Sequence, residues 1–166
     1  AATQHLLTLG HSTVHHVAGP DGWRSSIRRR EGWEAALLEA GANPATPLTA
    51  PWTSAGGYAV GKVLAEDPSV TAVLTANDLQ ALGLIRAFHE AGKQVGRDVS
   101  VIGFDDIPEA AYLTTALTTV RQDLAAMATR AVTMLVAALT DPEPSSHHEL
   151  LPTELIIRET TSRRQL

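Results

Sequence analysis

Two short, largely apolar stretches, residues 70–75 and 99–104, constrain the fold of this chain more than any other feature of its sequence. Neither stretch alternates strictly between apolar and polar residues, which is typical of parallel strands that are buried on both faces. A helical pattern lies between them, beginning at a cap formed by Asn77 or Asp78 and ending at Ala91-Gly92. This order predicts an α/β protein in which a parallel sheet lies between two layers of helices.

The rest of the chain continues the alternation of helices and strands. Further helices are predicted at residues 3–9 and 25–40, from a Ser54 cap to residue 66, and at 123–139. Further strands are predicted at 14–18, within 44–50, at 117–120 and at 154–158, and residues 141–148 are predicted to form a loop. Helical spacing also predicts which side chains of two helices face inward. In the helix at 25–40 they are Ile27, Trp33, Ala36, Leu37 and Ala40. In the helix that ends at residue 66 they are Val60, Val63 and Leu64.

The chain carries a formal net charge of −5 and no cysteine, and both facts exclude classes of function. A nucleic-acid surface needs clustered Lys and Arg, so any DNA-reading part is expected outside these residues. The basic residues among positions 24–30 are interpreted as a solvated helix face. The lack of cysteine excludes disulfides and Cys-ligated zinc and fits a reducing compartment. No apolar run approaches ~20 residues and no signal peptide is visible, so we expect a cytoplasmic protein that does not span a membrane.

Motifs that suggest nucleotide or metal binding are weak. Gly56-x4-Gly61-Lys62 is similar to a phosphate-binding loop, but Val63 follows where a hydroxyl residue would hold magnesium. We expect these residues inside a helix instead. The pairs His15-His16 and His147-His148 are expected to have structural or solvent-exposed roles, because neighbouring strand residues point to opposite sides and no acidic cage surrounds the second pair. No metal site and no cofactor are predicted.

Polar and aromatic residues follow the predicted strands, at the edge where parallel α/β sheets bind ligands. Of Asp105-Asp106, we interpret one carboxylate as an acceptor for ligand hydroxyl groups and the other as a brace of the turn. A catalytic pair is disfavoured, because no nucleophile with a base lies at a recognisable spacing. Asn77 suits both a helix cap and a sugar hydroxyl. Trp52 either covers an edge of the core or offers a face for stacking, and the sequence leaves both open.

Several short segments occur in the order in which the lactose-repressor/galactose-repressor family carries them. They are Leu9-Gly10-His11, Ala18-Gly19-Pro20, ANDLQALG at 76–83, VIGFDDIPE at 101–109, LTTVRQD at 117–123 and LPTEL at 151–155. The chain resembles that family over essentially its whole length. Periplasmic sugar-binding proteins share the fold but usually lack this combination, particularly the LTTVRQD segment.

The resemblance implies a non-enzymatic domain with a periplasmic-binding-protein-like fold of type I. Residues 1–122 would form its C-terminal lobe, 123–152 a helix and loop that normally return to an N-terminal lobe, and 153–166 the final strand and tail of the C-terminal lobe. A helix-turn-helix and most of the N-terminal lobe would lie outside this chain. The apolar face of the helix after residue 123 is then expected to be exposed, swapped or docked on a neighbouring molecule; it comprises Met127, Ala131, Met134, Leu135 and Ala138.

The resemblance also implies roles for individual residues. Effector binding is expected of Arg29, Asn77, Asp105, Trp52 and Gln122, and of Trp23 and Ser25 in a loop that varies with the effector. Arg29 is expected to grip effector hydroxyl groups, because its planar fork can bond two adjacent oxygens. A dimer interface is expected at Leu82, Arg86, Glu109, Tyr112 and Leu113.

The implied function is that of the effector-sensing and dimerisation domain of a bacterial DNA-binding repressor that acts as a homodimer. A carbohydrate is the favoured effector, although family members that bind purines share much of the pattern. The alternatives are a periplasmic or lipid-anchored sugar-binding protein of a transport system and a small α/β enzyme that uses Asp105 or Asp106. The identity of the effector, the operator, and the choice between induction and co-repression stay open.

Overall fold

The computed structural model describes residues 1–140 and 149–164. Its strands are β1 (His15–Ala18), β2 (Leu48–Thr49), β3 (Ala72–Thr75), β4 (Ser100–Asp105), β5 (Thr118–Gln122) and β6 (Thr153–Ile156). Its helices are α1 (Ala2–Thr8), α2 (Arg24–Glu39), α3 (Ser54–Glu66), α4 (Asp78–Glu90) and α5 (Leu124–Thr140), with a 3₁₀ helix at Pro108–Ala111. The predicted loop at 141–148, and with it His147-His148, lies outside the described residues.

The strands form one sheet in the order β2-β1-β3-β4-β5-β6. Strands β1 to β5 run parallel, whereas β6 pairs with β5 in the antiparallel direction and places Leu155 opposite Val120. Helices α1 and α2 cover one face of the sheet, and α3 and α4 cover the other. The predicted three-layer α/β sheet is confirmed. It is parallel except at β6. A parallel neighbour of β5 would need a connection that crosses a face of the sheet, and α5 does not provide one because it buries no residue.

Strands β3 and β4 are buried on both faces, as their apolar stretches predict. All four residues of β3 are buried, and so are the first four residues of β4. Neighbouring residues of each strand point into opposite cores. Val73 and Val101 lie in one core with Leu84 and Phe88 of α4, and Leu74 and Ile102 lie in the other with Trp33 and Leu37 of α2.

Helices α3 and α4 approach each other closely through glycines. A Cβ atom on Gly57 would lie 2.0 Å from the carbonyl oxygen of Gln80, and one on Gly83 would lie 1.8 Å from the carbonyl oxygen of Ser54. Any larger residue at these positions would push the helices apart. Gly56, Gly61 and Lys62 lie within α3 as predicted, so the glycine motif serves helix packing.

The start and the outward face of α3 differ from the prediction. Thr53, rather than Ser54, is the N-cap, and its side chain accepts a hydrogen bond from a backbone N–H of the first turn at 3.1 Å. Leu64 is buried and Val60 packs against the core, as expected. Val63 is 59% exposed instead of buried, because α3 turns its glycines, rather than a row of valines, towards α4.

Helix α2 buries a shorter face than its spacing predicts. Trp33, Ala36 and Leu37 are buried as expected. Ile27 is exposed because it lies in the first turn, at the edge where β1 ends, and Ala40 is exposed because it follows the helix as its C-cap. The predicted inward positions at the two ends of α2 are therefore wrong.

Helix α5 is largely exposed. None of its residues is buried. Leu135 is 60% exposed and Leu139 is 78% exposed, and Met134 is half-buried. This agrees with the expectation of an exposed apolar face. No helix among residues 1–140 and 149–164 is long and apolar enough to cross a membrane.

Candidate functional site

The carboxyl ends of the parallel strands carry a connected group of side chains. Trp52 follows β2, Asn77 follows β3, Asp105 ends β4, Gln122 ends β5, and Arg29 reaches them from α2. The sequence predicts that these five residues act together, and the structure places them within reach of one another. They form the strand-end cluster.

The guanidinium group of Arg29 lies at the centre of the strand-end cluster. It donates hydrogen bonds to the carbonyl oxygen of Ala76 and to Oδ1 of Asp105, the latter at 3.3 Å. Its Cζ atom lies 3.8 Å from the ring centroid of Phe104 and 5.7 Å from that of Trp52. Burial lowers the pKa of Arg29 and the charge of Asp105 opposes this, but an arginine stays protonated in either case. The cluster therefore holds a half-buried cation with N–H groups left to donate.

Asp105 is held in a strained conformation beside Arg29. One carboxylate oxygen, Oδ1, also accepts a hydrogen bond from Nε2 of Gln122 at 2.8 Å. Burial raises the pKa of Asp105, and the charge of Arg29 acts in the opposite direction. The φ angle of Asp105 is 111°, which residues other than glycine rarely adopt. Residues in such strained conformations cluster at functional sites. Within the described part of the chain no donor reaches Oδ2, so this oxygen can accept from a ligand.

Asn77 joins two elements of the strand-end cluster. Its Oδ1 accepts a hydrogen bond from the backbone N–H of Gln80 at 2.9 Å, which caps α4. Its Nδ2 donates to the carbonyl oxygen of Trp52 at 3.3 Å. Only 7% of the residue is exposed. Helix capping thus accounts for the oxygen, and the amide nitrogen holds the loop that carries Trp52.

Trp52 and Trp23 form an apolar corner beside Arg29. The ring of Trp52 lies over Gly19, where an added Cβ atom would come within 2.2 Å of it. Trp23 meets Trp52 edge to face, with ring centroids 6.4 Å apart and ring planes 78° apart. Trp23 is 59% exposed, whereas the indole N–H of Trp52 is buried without a partner among the described residues.

Asp106 braces the turn, in agreement with the interpretation of one carboxylate of the pair. It accepts hydrogen bonds from Arg121 at 2.7 Å and from Arg158 at 2.6 Å. Burial acts to raise the pKa of Asp106, but these two arginines outweigh it and the pKa is lowered. The ion pairs tie the end of β4 to β5 and to the chain after β6.

His16 is a core residue. Its Nδ1 lies 2.9 Å from the carbonyl oxygen of Leu74, and its ring stacks on Trp33 with centroids 5.3 Å apart. Burial lowers the pKa of His16 to about 4, so the ring is neutral at pH 7. Its structural role agrees with the prediction. In the described ranges, no group of three or more His, Asp or Glu side chains could hold a metal ion.

The sequence matches the family model of the periplasmic binding protein-like domain over residues 3–161. The chain belongs to this family. A match of that extent leaves only the two ends of the chain outside the domain, and it accounts for the three-layer sheet and for the position of the strand-end cluster at the carboxyl edge.

Relatives of this periplasmic binding protein-like domain include bacterial repressors. It is 34% identical over 161 residues to the lactose operon repressor of Klebsiella pneumoniae, a match that covers 96% of this chain and 45% of the relative. The chain thus spans a little less than half the length of that relative.

The solved structures that are similar to the domain include two with a bound small molecule. The lac repressor dimer bound to operator and the anti-inducer ONPF shares 33% identity with a TM-score of 0.90, covering 97% of this chain and 56% of that chain. A LacI family transcriptional regulator from Enterococcus faecium with bound ribose shares 30% identity with a TM-score of 0.87, covering 99% of this chain and 62% of that chain. The resemblance to the lactose-repressor/galactose-repressor family is confirmed.

Two further predicted effector residues lie at the rim of the domain, outside the strand-end cluster. Ser25 is exposed in the first turn of α2, whereas the neighbouring Ser26 is buried and donates to the carbonyl oxygen of Gly19 at 2.8 Å. Trp23 directly precedes α2 and touches the cluster through Trp52. The contacts therefore link Trp23, but not Ser25, to the cluster.

Gln80 and Phe104 support the cluster of the domain, and sequence reasoning missed both. Gln80 is fully buried; its Oε1 accepts from the N–H of Ala76 at 3.1 Å, and its Nε2 donates to the carbonyl oxygens of Ala18 and Ala50 at 3.2 and 3.0 Å. It thereby ties together the ends of β1, β2 and β3. No local signal marks Gln80, because its partners Ala18 and Ala50 lie 62 and 30 positions away in sequence. Phe104, the last apolar residue of its stretch, supports the guanidinium group.

The residues predicted to form a dimer interface lie on α4 and around the 3₁₀ helix. Leu82 and Arg86 are one helical turn apart on α4, and together with Leu113 they line a groove of about 480 Å³. Tyr112 is 87% exposed and Glu109 is also exposed. All five residues lie on one side of the domain's sheet, and their role at an interface stays a prediction.

Proposed function

We propose that this chain is the effector-sensing part of a bacterial transcriptional repressor and that it binds a small carbohydrate at the strand-end cluster. The observation that carries the proposal is the meeting of Arg29, Asp105 and Gln122 beside Trp52 at the carboxyl edge of the sheet. The regulator from Enterococcus faecium that has ribose bound supports a sugar as the effector class.

Each member of the cluster suits one part of a sugar. The fork of Arg29 can donate to two adjacent hydroxyl oxygens. Oδ2 of Asp105 and the amide oxygen of Gln122 can accept from hydroxyl groups, and the second N–H of the Asn77 amide can donate to one. The face of Trp52 can cover the apolar C–H face of the ring. Because Asp105 and Asp106 are engaged by arginines, we assign them binding and bracing roles rather than catalysis.

The effector would act by changing the balance between two arrangements of the intact protein. In our proposal it binds between this lobe and a second lobe, with the strand-end cluster forming one wall. Only a difference in affinity between the two arrangements can shift their populations. That shift would move the segments that connect the lobes to a DNA-binding domain and so change the affinity for operator DNA.

We further propose that the intact protein is a cytoplasmic homodimer that reads operator DNA through a helix-turn-helix outside this chain. The interface would contain Leu82, Arg86, Glu109, Tyr112 and Leu113. The net charge of −5 supports a DNA-reading part elsewhere, because an acidic surface repels phosphate. Repressors among the relatives favour this reading over a sugar-binding protein of a transport system.

The proposal is tested by the variant Arg29→Ala in the full-length gene product. Titration calorimetry with ribose, glucose, galactose, maltose, cellobiose and lactose identifies the effector. Loss of Arg29 is expected to weaken its binding by about 1.5–3 kcal/mol, or roughly tenfold to a hundredfold, since charge-assisted hydrogen bonds are lost. Arg29→Lys keeps the positive charge but lacks the planar fork, so its affinity for the effector is expected to lie between those of the natural protein and Arg29→Ala.

Arg28→Ala is the matched control, because Arg28 is exposed on the same helix and, among residues 1–140 and 149–164, forms an ion pair only with Glu31 at 2.9 Å. Its affinity for the effector is expected to equal that of the natural protein. Fluorescence anisotropy with operator DNA then checks that the effector alters DNA binding. Unchanged effector affinity in Arg29→Ala, or the absence of binding by any sugar, contradicts the proposal.

A further inference from the structure

We infer that the effector of this chain has at least two linked sugar rings and that Trp23 contacts the second ring. The inference rests on the proposed function, because it takes the strand-end cluster to hold the first ring. The observations that carry it are the unusual position of Trp23, the angle between the two indoles, and the polar residues around them.

Trp23 occupies a position at which a tryptophan contributes little to the fold. It is the N-cap of α2, where Ser, Thr, Asp, Asn and Gly are preferred, and its side chain makes no capping hydrogen bond. Thr53 and Asn77, at the same position of α3 and α4, both make one. With 59% of its surface exposed, Trp23 also adds little to the core. A residue that departs from local rules without a gain in stability indicates a functional role.

The rings of Trp52 and Trp23 present two faces to a ligand, and these faces point in different directions. Trp52 lies next to Arg29, with 5.7 Å between the guanidinium carbon and the ring centroid. Trp23 contacts Trp52 edge to face, and the planes of the two rings are 78° apart. A single pyranose ring cannot lie flat on both faces at once. A ligand that uses both faces therefore extends beyond its first ring.

The surroundings of Trp23 match a hydroxyl-rich second ring. Asp21, Arg24 and Ser25 lie within two residues of Trp23, and all three are exposed. They supply a carboxylate, a guanidinium group and a hydroxyl group in the same exposed segment as the indole. An aromatic face with polar neighbours is suited to a sugar, which has an apolar C–H face and a rim of hydroxyl groups. This arrangement also gives Ser25 a role outside the strand-end cluster.

Calorimetry on the full-length gene product with matched sugars tests the inference. The probes are glucose with maltose and cellobiose, and galactose with lactose. We expect one disaccharide to bind at least about tenfold more tightly than its monosaccharides, as expected for one additional stacked ring. Trp23→Ala is expected to weaken disaccharide binding at least about fivefold more than monosaccharide binding, whereas Trp23→Phe retains most of the disaccharide advantage.

The matched control is Leu38→Ala, which removes an apolar side chain that is 59% exposed on the same helix, near its far end. It is expected to change neither affinity. A second readout is the quenching of tryptophan fluorescence by iodide, compared between the natural protein and Trp23→Phe. The part of the quenching that this variant removes belongs to Trp23, and a bound disaccharide should shield it whereas a monosaccharide should not. Trp52 is present in both proteins and cancels in the comparison, and Trp33 is only 2% exposed.

The possible outcomes separate the inference from the proposed function. If no sugar of either size binds, the proposed function fails. If sugars bind but disaccharides have no advantage, or if Trp23→Ala weakens monosaccharides to the same extent, the inference is overturned and the proposed function stands. If a disaccharide has an advantage that Trp23→Ala does not reduce and iodide still quenches Trp23, the second ring lies elsewhere and the inference is equally overturned.

Discussion

Asp78 shows how a single buried residue can make the stability of the fold depend on pH. It has no exposed surface and accepts hydrogen bonds from the hydroxyl group of Thr119 at 2.6 Å and the N–H of Ile107 at 2.9 Å. Burial raises its pKa to about 6, and these two hydrogen bonds act in the opposite direction without outweighing it. The folded chain therefore keeps a proton on Asp78 at pH values at which the unfolded chain releases it.

The variant Asp78→Asn is expected to remove a pH dependence of stability. Because the folded pKa is raised, the stabilisation by the bound proton is full below the unfolded pKa of 3.8 and is lost as the pH rises through about 6. Relative to the variant, the natural chain should therefore lose roughly 2–3 kcal/mol of unfolding free energy between pH 4 and pH 7. Urea denaturation of both proteins at several pH values measures the difference.

The amide of this variant can still accept from Ile107 and can donate to the hydroxyl group of Thr119, so the fold should be kept. Asp21→Asn is the control, because Asp21 is exposed and a similar change there should leave the pH dependence as it was. A constant difference between Asp78→Asn and the natural chain from pH 4 to pH 7 would show that Asp78 is charged throughout.

At the scale of elements, the contact between α3 and α4 depends on two glycines. A Cβ atom at Gly57 would lie 2.0 Å from a backbone oxygen of α4, and one at Gly83 would lie 1.8 Å from a backbone oxygen of α3. Backbone cannot move aside as a flexible side chain can. Gly57→Ala and Gly83→Ala are each expected to lower the unfolding free energy by about 3 kcal/mol, the upper end of the usual cost of overpacking.

Gly32→Ala is the matched control for these variants. Gly32 also lies in a helix, but an added Cβ atom there would meet nothing within 4 Å. Alanine should therefore stabilise α2 by about 0.5–1 kcal/mol. Chemical denaturation of the three variants measures the changes, and equal effects of Gly57→Ala and Gly32→Ala would contradict the packing argument.

The elements also show what the sequence could and could not predict. The stretches of β3 and β4 and the glycine that follows α4 predict those elements well, because burial on both faces and capping leave local signals. Val63 was misplaced because the glycines of α3 that face α4, rather than the spacing of valines, decide which side of α3 is buried. The direction of β6 likewise depends on α5 not packing on the sheet, which no local pattern records.

The strand-end cluster divides in the same way. Asn77 and Asp105 could be predicted from the rule that ligands bind beyond the ends of parallel strands. The support by Phe104, the ties made by Gln80 and the burial of Asp78 could not, because their partners are distant in sequence; Asp78 binds residues 29 and 41 positions away. The role of Arg29 was predicted only through the family resemblance, because its partners Ala76 and Asp105 are 47 and 76 positions away in sequence.

At the scale of the whole molecule, the strand-end cluster lies next to the base of α5. Gln122 bonds Asp105, and the next residue, Asp123, accepts a hydrogen bond from the N–H of Ala126 at 2.8 Å in the first turn of α5. A ligand that displaces Gln122 from Asp105 would therefore act directly on the start of this helix. Since α5 buries no residue against the rest of the described chain, its orientation is not fixed by a core.

The uncovered apolar residues of α5 predict that the 166-residue chain, produced by itself, associates with further copies. Val132, Leu135, Val136 and Leu139 are between 55% and 78% exposed, and covering such a surface is favourable in water. Light scattering over a range of concentrations should give a mass above that of one chain, and Leu135→Glu combined with Leu139→Glu should lower it. Leu38→Glu, which alters an exposed leucine of α2, should not. A single-chain mass at every concentration would mean that α5 is covered by its own chain. An unchanged mass in the double variant would place the contact elsewhere. The surface around Leu82 and Tyr112 would then be the next site to alter.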